Sequence, residues 1–246
     1  MEIWQPTEKT IWQPIYKGAE SVVSKPILGN VTQLYNPSYS GGNFTFDHTH
    51  NDGDDGHLFL FLCVNGGYNG IAAKYNGASF TKAGTLQDIT GAFGFGCDWV
   101  VFDLDDPATG TNQIEVLPGA AYNDKIYYFA ISYTNCSGLK QDPAKQKESS
   151  AKIATASFSS PVTEGSSVLA MGAQKTPPPG TNYMGIPTDT YISPQPYLYA
   201  APGTNLGVQS IGKVDDMAGG EESVSWVSPA SQQMGIMAVE IGGAAA

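Results

Sequence analysis

Polar and apolar residues alternate at period two along most of this chain, and Gly, Pro, Asn and Asp clusters interrupt them at short intervals. Phe44-Thr45-Phe46-Asp47-His48-Thr49-His50 is one such stretch, and the turn cluster Asn51-Asp52-Gly53-Asp54-Asp55-Gly56 follows it. From His57 to Val64 the chain is continuously apolar, the pattern of a strand buried on both faces. Ile71 to Tyr75 and Ala78 to Lys82 flank Asn76-Gly77, a strong hairpin signal. Further strands are predicted over Cys97 to Leu104, Gln113 to Leu117, Lys125 to Tyr133, Ala151 to Phe158 and Ser167 to Ala173. Val208 to Ile211, Ser223 to Val227 and Gly235 to Ile241 complete the set. No window carries a 3.6-residue stripe. Many short strands at this spacing predict an all-β sandwich or barrel. Two segments break the rhythm and read as surface loops: the lysine-rich Lys140 to Ser150, and the Pro-, Gly- and Tyr-rich stretch from Thr176 to Pro202.

The first eighteen residues follow another rule. Ile3-Trp4-Gln5-Pro6 recurs as Ile11-Trp12-Gln13-Pro14. The prolines exclude a regular helix, because proline lacks the amide donor. Two readings fit equally: an extended arm over residues 1–18 that presents Trp4, Pro6, Trp12 and Pro14 to a neighbouring protein, or a strand closing over this chain's own core. The domain expected from the remaining pattern spans 19–246 as one sandwich.

Charge narrows the partners. In 246 residues, 12 cations face 23 anions, a formal net charge of -11, and every cation is lysine. The absence of arginine, the usual reader of guanine edges and bidentate phosphate clamp, argues with this acidity against nucleic acid and against an anionic membrane. The acidity itself reads as a solubility device. Cys63, Cys97 and Cys136 lie too far apart for a zinc cage, and Cys63 reads as a core thiol suited to a reducing compartment. Neither a signal peptide nor a membrane span is expected.

Candidate chemistry is sparse. His48, His50 and His57 cluster beside Asp47, Asp52, Asp54 and Asp55. His48 and His50 share a strand face and have metal-ligand chemistry, and the aspartates suit calcium. The spacing is not that of an EF-hand, and a solvated Asx/Gly turn is the favoured reading, so no metal and no cofactor is assigned. Asp103, Asp105 and Asp106 invite a glycosidase reading, which needs two carboxyls facing a cleft, but Asp105-Asp106-Pro107 reads as a turn. No nucleophile-elbow or phosphate-loop pattern occurs, so no catalytic residue is assigned and an enzyme is not expected. Tyr183, Tyr191, Tyr197 and Tyr199 in or beside the long loop suit either a contact surface or a seal over the sandwich.

Taken in order, the strands resemble a β-sandwich domain loosely related to lectin-like jelly rolls, common in phage virion proteins and some bacterial surface proteins. The segments that carry the resemblance are His48-Thr49-His50, Leu58 to Val64, Lys74 to Gly84, Trp99 to Leu104, Pro107 to Val116, Tyr128 to Tyr133 and Met237-Ala238-Val239-Glu240-Ile241. Together they cover about residues 20 to 242. The resemblance implies an antiparallel, jelly-roll-like sandwich with no catalytic residues. It also implies a structural role in a virion assembled in a host bacterial cytoplasm, as capsid decoration or head fibre, among other virion proteins. A homo-oligomer is expected, a trimer only by family habit. The alternative is a carbohydrate-binding module on a tail or cell surface, with a glycan as ligand.

Overall fold

A computed structural model describes residues 24–36, 42–51, 53, 55–65, 70–86, 97–117, 126–174, 209–214, 219–220 and 223–244. Among them are fourteen strands and no helix. In chain order these are β1 (Ile27–Asn36), β2 (Phe44–His50), β3 (His57–Asn65), β4 (Ala72–Tyr75), β5 (Ala78–Ser79), β6 (Thr81–Leu86) and β7 (Cys97–Asp105). They continue as β8 (Gly110–Leu117), β9 (Ile126–Thr134), β10 (Cys136–Leu139), β11 (Ala144–Ser157), β12 (Ser167–Gln174), β13 (Gln209–Val214) and β14 (Ser223–Gly243).

Three antiparallel sheets result. The middle sheet runs β1-β9-β3-β7-β6, and a second runs β2-β8-β4-β5. The chain passes back and forth between these two sheets, with only the pairs β4-β5 and β6-β7 staying within one, and the resulting strand orders are those of the double Greek-key weave of a jelly roll. The third sheet runs β10-β14-β12-β13, with β11 pairing β14 along the edge that β10 also uses. The expected antiparallel sandwich is therefore the fold, extended by one layer.

Alternation explains the stacking. Leu58, Leu60, Leu62, Val100, Phe102, Tyr128 and Ala130 leave one face of the middle sheet and pack on Ala73, Tyr75, Ile114 and Val116 of the second. Phe59, Phe61, Trp99, Val101, Phe129 and Ile131 leave the other face and pack on Leu169, Met171, Met237, Val239 and Ile241 of the third. Both faces of β3 are thus buried, as its continuous apolar run predicts. A third cluster, with Ala154, Ala156, Phe158, Val162, Val168, Met234 and Ile236, covers the outward face of the third sheet.

Several boundaries depart from the sequence expectation. Lys140 to Ser150 is not a loop. Only a turn separates β10 from β11, and most of the segment is strand, its lysines exposed along an edge where they discourage pairing with another chain. The two closing segments are one strand, β14. Its ladder with β11 jumps from Ala151↔Gln232 to Ile153↔Val227. The inserted residues include Pro229, which a bulge tolerates because it needs no amide donor there. Asn76 and Gly77 have φ of 47° and 82°, as a hairpin turn with two left-handed central residues requires. The strand after them is shorter than expected, because β5 ends at Ser79, Phe80 turns into the core, and β6 joins the middle sheet. Residues 1–18, with Trp4, Pro6, Trp12 and Pro14, and the stretch from Thr176 to Pro202 lie outside the described residues.

Candidate functional site

The three histidines are all buried, not solvated in a turn: His48 is 1 %, His50 2 % and His57 8 % exposed. They do not converge. β2 belongs to the second sheet and β3 to the middle one, so the short turn between them carries the chain from one layer to the next. His48 points with Phe44 and Phe46 into the interface between the second and middle sheets. His57 shares a face of β3 with Phe59 and Phe61, and so points into the opposite interface, toward the third sheet.

His48 sits between two hydroxyls. Its Nδ1 lies 2.9 Å from Thr32 Oγ1 on β1, and its Nε2 lies 2.6 Å from Ser132 Oγ on β9. A neutral imidazole has one donor and one acceptor nitrogen, and a hydroxyl can play either part, so the trio is satisfied without charge. Burial, and secondarily the neighbouring His50, lower the His48 pKa to about 4. Tyr75 supports the strand end from below. Its hydroxyl lies 3.0 Å from the Gly110 carbonyl and 3.3 Å from the His48 carbonyl, and it accepts from Asn112 Nδ2 at 3.4 Å.

His57 sits between two carboxylates. Its Nδ1 is 2.9 Å from Asp103 Oδ1 and its Nε2 is 3.2 Å from Asp105 Oδ1, both on β7. Burial works against the imidazolium, but the hydrogen bond to Asp103 and the charges of Asp103, Asp105 and Asp55 outweigh it, and the pKa is raised. Its ring stacks on Phe59 at 5.9 Å and 11°. Gly138 of β10, at φ +78°, closes over the ring edge, and a Cβ there would lie 2.7 Å from His57 Cε1. The neighbouring Cys136 is buried, and that burial pushes its thiol pKa up to about 12. The Cys136 amide donates to the Asp55 carbonyl at 3.0 Å, which ties β10 to the turn that precedes β3.

The chemistry of this end is bracing. Asp103 and Asp105 converge on His57 and do not face one another across a cleft as a glycosidase pair would. Asp106 carries the turn toward β8 at φ 49°, as the Asp-Asp-Pro reading expects. Among the described residues, no three His, Cys, Asp or Glu side chains form a metal-ligand group. Sequence reasoning missed Thr32, Ser132, Tyr75, Gly138 and Glu240. The period-two pattern places Thr32 and Ser132 on strands, but nothing local marks them as partners of a histidine in another sheet. Glu240 is 1 % exposed on β14, where it accepts from Thr163 N at 2.8 Å and Ser166 Oγ at 2.9 Å, and from Gln141 Nε2.

The class defined by this geometry is an all-β, antiparallel sandwich with a jelly-roll weave and one added layer. No family model, curated protein or solved structure matches the chain.

Proposed function

We propose that the chain is a non-enzymatic structural component of a bacteriophage virion, a capsid decoration or head-fibre protein. It is made in the host bacterial cytoplasm and assembles with other virion proteins. One observation carries the reading: β1 to β9 weave the jelly roll that viral capsid and lectin domains share, and a third sheet covers the face of the middle sheet that the weave leaves bare. This is argument by fold analogy. The polar groups at the candidate site add support. Both ring nitrogens of His48 and both of His57 are engaged inside the protein, whereas a general base needs one within reach of a substrate proton.

Contact with neighbours is assigned to residues 1–18, through Trp4, Pro6, Trp12 and Pro14, in a homo-oligomer of three copies. Tryptophan is among the residues most enriched at interface hot spots. The Ser24 amide donates to the Ala244 carbonyl at 2.9 Å. The test compares particles purified with the intact chain, without it, and with Trp4 and Trp12 changed to alanine. Regular surface density that vanishes with the chain, and is depleted in a well-folded double variant, is expected. A protein that never sediments with particles and binds a glycan array would overturn the reading in favour of a carbohydrate-binding module.

A further inference from the structure

We propose that the lysine-bearing edge of β11 docks a second copy of this chain, which meets it with the aspartates of its own β2–β3 and β7–β8 turns. The inference rests on the homo-oligomer proposed above and adds to it a contact outside residues 1–18.

The chain is acidic, with a formal net charge of -11, yet its cations are not spread evenly. Lys145, Lys147 and Lys152 fall within eight residues that hold a single acid, Glu148. All three lysines are exposed, as are Gln146, Ser149, Ser150 and Ile153 around them. β11 pairs β14 on one side, and among the described residues no strand pairs it on the other. Lys145 Nζ donates to the Thr85 carbonyl at 2.9 Å, which holds it at the edge, and an ammonium has three donors. The acids gather elsewhere. No lysine occurs from Gly42 to Asn65 or from Cys97 to Leu117. Asp55, Asp105 and Asp106 are exposed at the two turns of that end, and the Asp106 amide donates to the Gly56 carbonyl at 3.0 Å, which keeps the turns together. Asp105 gives one oxygen to His57, and its side chain is still 85 % exposed.

These surfaces belong to different sides of the molecule. The turns lie beside Cys136, which donates to the Asp55 carbonyl and pairs Gly243, whereas β11 runs along β14 away from that end, from Ala238 to Met234. Lys145 lies opposite Met237, which puts it about 20 Å from the level of Gly243 at the rise of an antiparallel strand. Within one copy the two patches are too far apart to pair. Between copies the contact is heterologous, turn end to edge, and such contacts close into a ring when the rotation allows, as three copies require. Two β11 edges repel one another, so the lysines exclude strand-to-strand pairing of copies while admitting an acidic partner. The net charge opposes approach in other orientations, which leaves this pairing of patches as the one that electrostatics favours.

The test measures self-association of the full chain by sedimentation velocity at about 0.1 M and about 1 M sodium chloride, where the screening lengths are about 10 Å and about 3 Å. Association weakened by salt is expected. Association unchanged or strengthened by salt would overturn the contact, since relief of net repulsion acts in the opposite direction. Lys145→Glu, Lys147→Glu and Lys152→Glu together should weaken association about tenfold or more. Asp105→Lys with Asp106→Asn should do the same, asparagine being suited to the φ of 49° at that position. Combining the two sets exchanges the signs of both patches and should restore most of the association; a combined variant no better than either parent would overturn the contact. Where the turn variant does not fold, the salt series and the edge variant decide. Trp4→Ala with Trp12→Ala separates the two contacts. Association lost there but kept in the charge variants leaves residues 1–18 as the contact and ends this proposal. A wild-type chain that stays monomeric ends the edge contact and the homo-oligomer alike, whatever particle imaging shows of the virion reading.

Discussion

Replacing Glu240 with alanine should be among the most damaging single changes in the third sheet. Alternation along Met237, Val239 and Ile241 points these residues at the middle sheet and points Glu240 outward, yet the carboxylate is 1 % exposed. It is covered by the turn from Lys140 to Pro143 and by the segment from Phe158 to Ser166. Both are held by it: Thr163 N and Ser166 Oγ donate to Oε1, and Gln141 Nε2 donates to Oε2. Gln141 in turn accepts from Ser159 Oγ at 2.9 Å and Ser160 N at 3.0 Å. A hydrogen bond to a charged group contributes about 1.5–3 kcal/mol, so three amount to roughly 4–9 kcal/mol gross. Removing the carboxylate also removes its burial cost of several kcal/mol, and Gln141 lies close enough to the surface to regain water. The net loss expected for Glu240→Ala is about 3 kcal/mol. Glu240→Gln keeps one acceptor oxygen for Thr163 and Ser166 but sets an NH2 against that of Gln141, so about 1–2 kcal/mol is expected. Urea unfolding followed by tryptophan fluorescence reads both, with a lower midpoint and an unchanged slope. Amide exchange should quicken over residues 158–166 before the middle sheet is affected. A Glu240→Ala protein within about 0.5 kcal/mol of wild type would refute the reasoning, because the bonds described would then carry no net free energy.

Two glycines with nearly the same φ separate strain from crowding. Gly77→Ala, at φ +82° with open space around its new Cβ, should cost about 1 kcal/mol. Gly138→Ala, at φ +78° with His57 Cε1 at 2.7 Å and Asp103 Oδ2 at 3.3 Å, should cost about 2–3 kcal/mol and displace the ring. Equal losses in thermal unfolding would mean that the contact at Gly138 is irrelevant. Lowering pH from 7 to 5 should cost about 2 kcal/mol through His48 alone, since the unfolded state then binds its proton and the native state does not. His48→Gln should remove that contribution from the pH dependence of unfolding, and an unaltered acid slope would refute it.

The parts of the fold legible in the sequence are those where burial and pattern coincide. β3 reads correctly because Leu58 to Leu62 are buried on alternating sides, which leaves no polar position to interrupt the run. Asn76-Gly77 reads correctly because its φ values demand those residues. β11 was legible only from Ala151 onward. Its first half is an edge strand with both sides largely wet, so Lys145, Gln146 and Lys147 show none of the alternation by which strands are recognised. The unity of β14 is likewise hidden, because Ser228 to Ser231 form an interruption that the ladder with β11 spans by a bulge. The third layer had no signature of its own. Which face of a strand meets which sheet is decided by pairing across long separations, not by local period.

The histidines show the same limit in chemical form. His50 and His57 flank one turn, and their closeness in sequence suggested a shared site. Adjacent strands of a jelly roll enter different sheets, however, so a short turn separates side chains by a whole layer. What each histidine does is then set by distant residues. Ser132, 84 positions away, receives His48 at a sheet interface whose burial lowers its pKa, and Asp103, 46 positions away, sets a carboxylate on His57 that helps to raise its pKa. Local composition points the wrong way for the first. Asp47 adjoins His48 in sequence and would favour its protonation, but strand alternation puts that carboxylate on the exposed outer face. The acid-rich turn thus surrounds both residues in sequence but raises the pKa of only one in space. The sign of each titration follows from the sheet interface a side chain enters, and the strand order determines that interface.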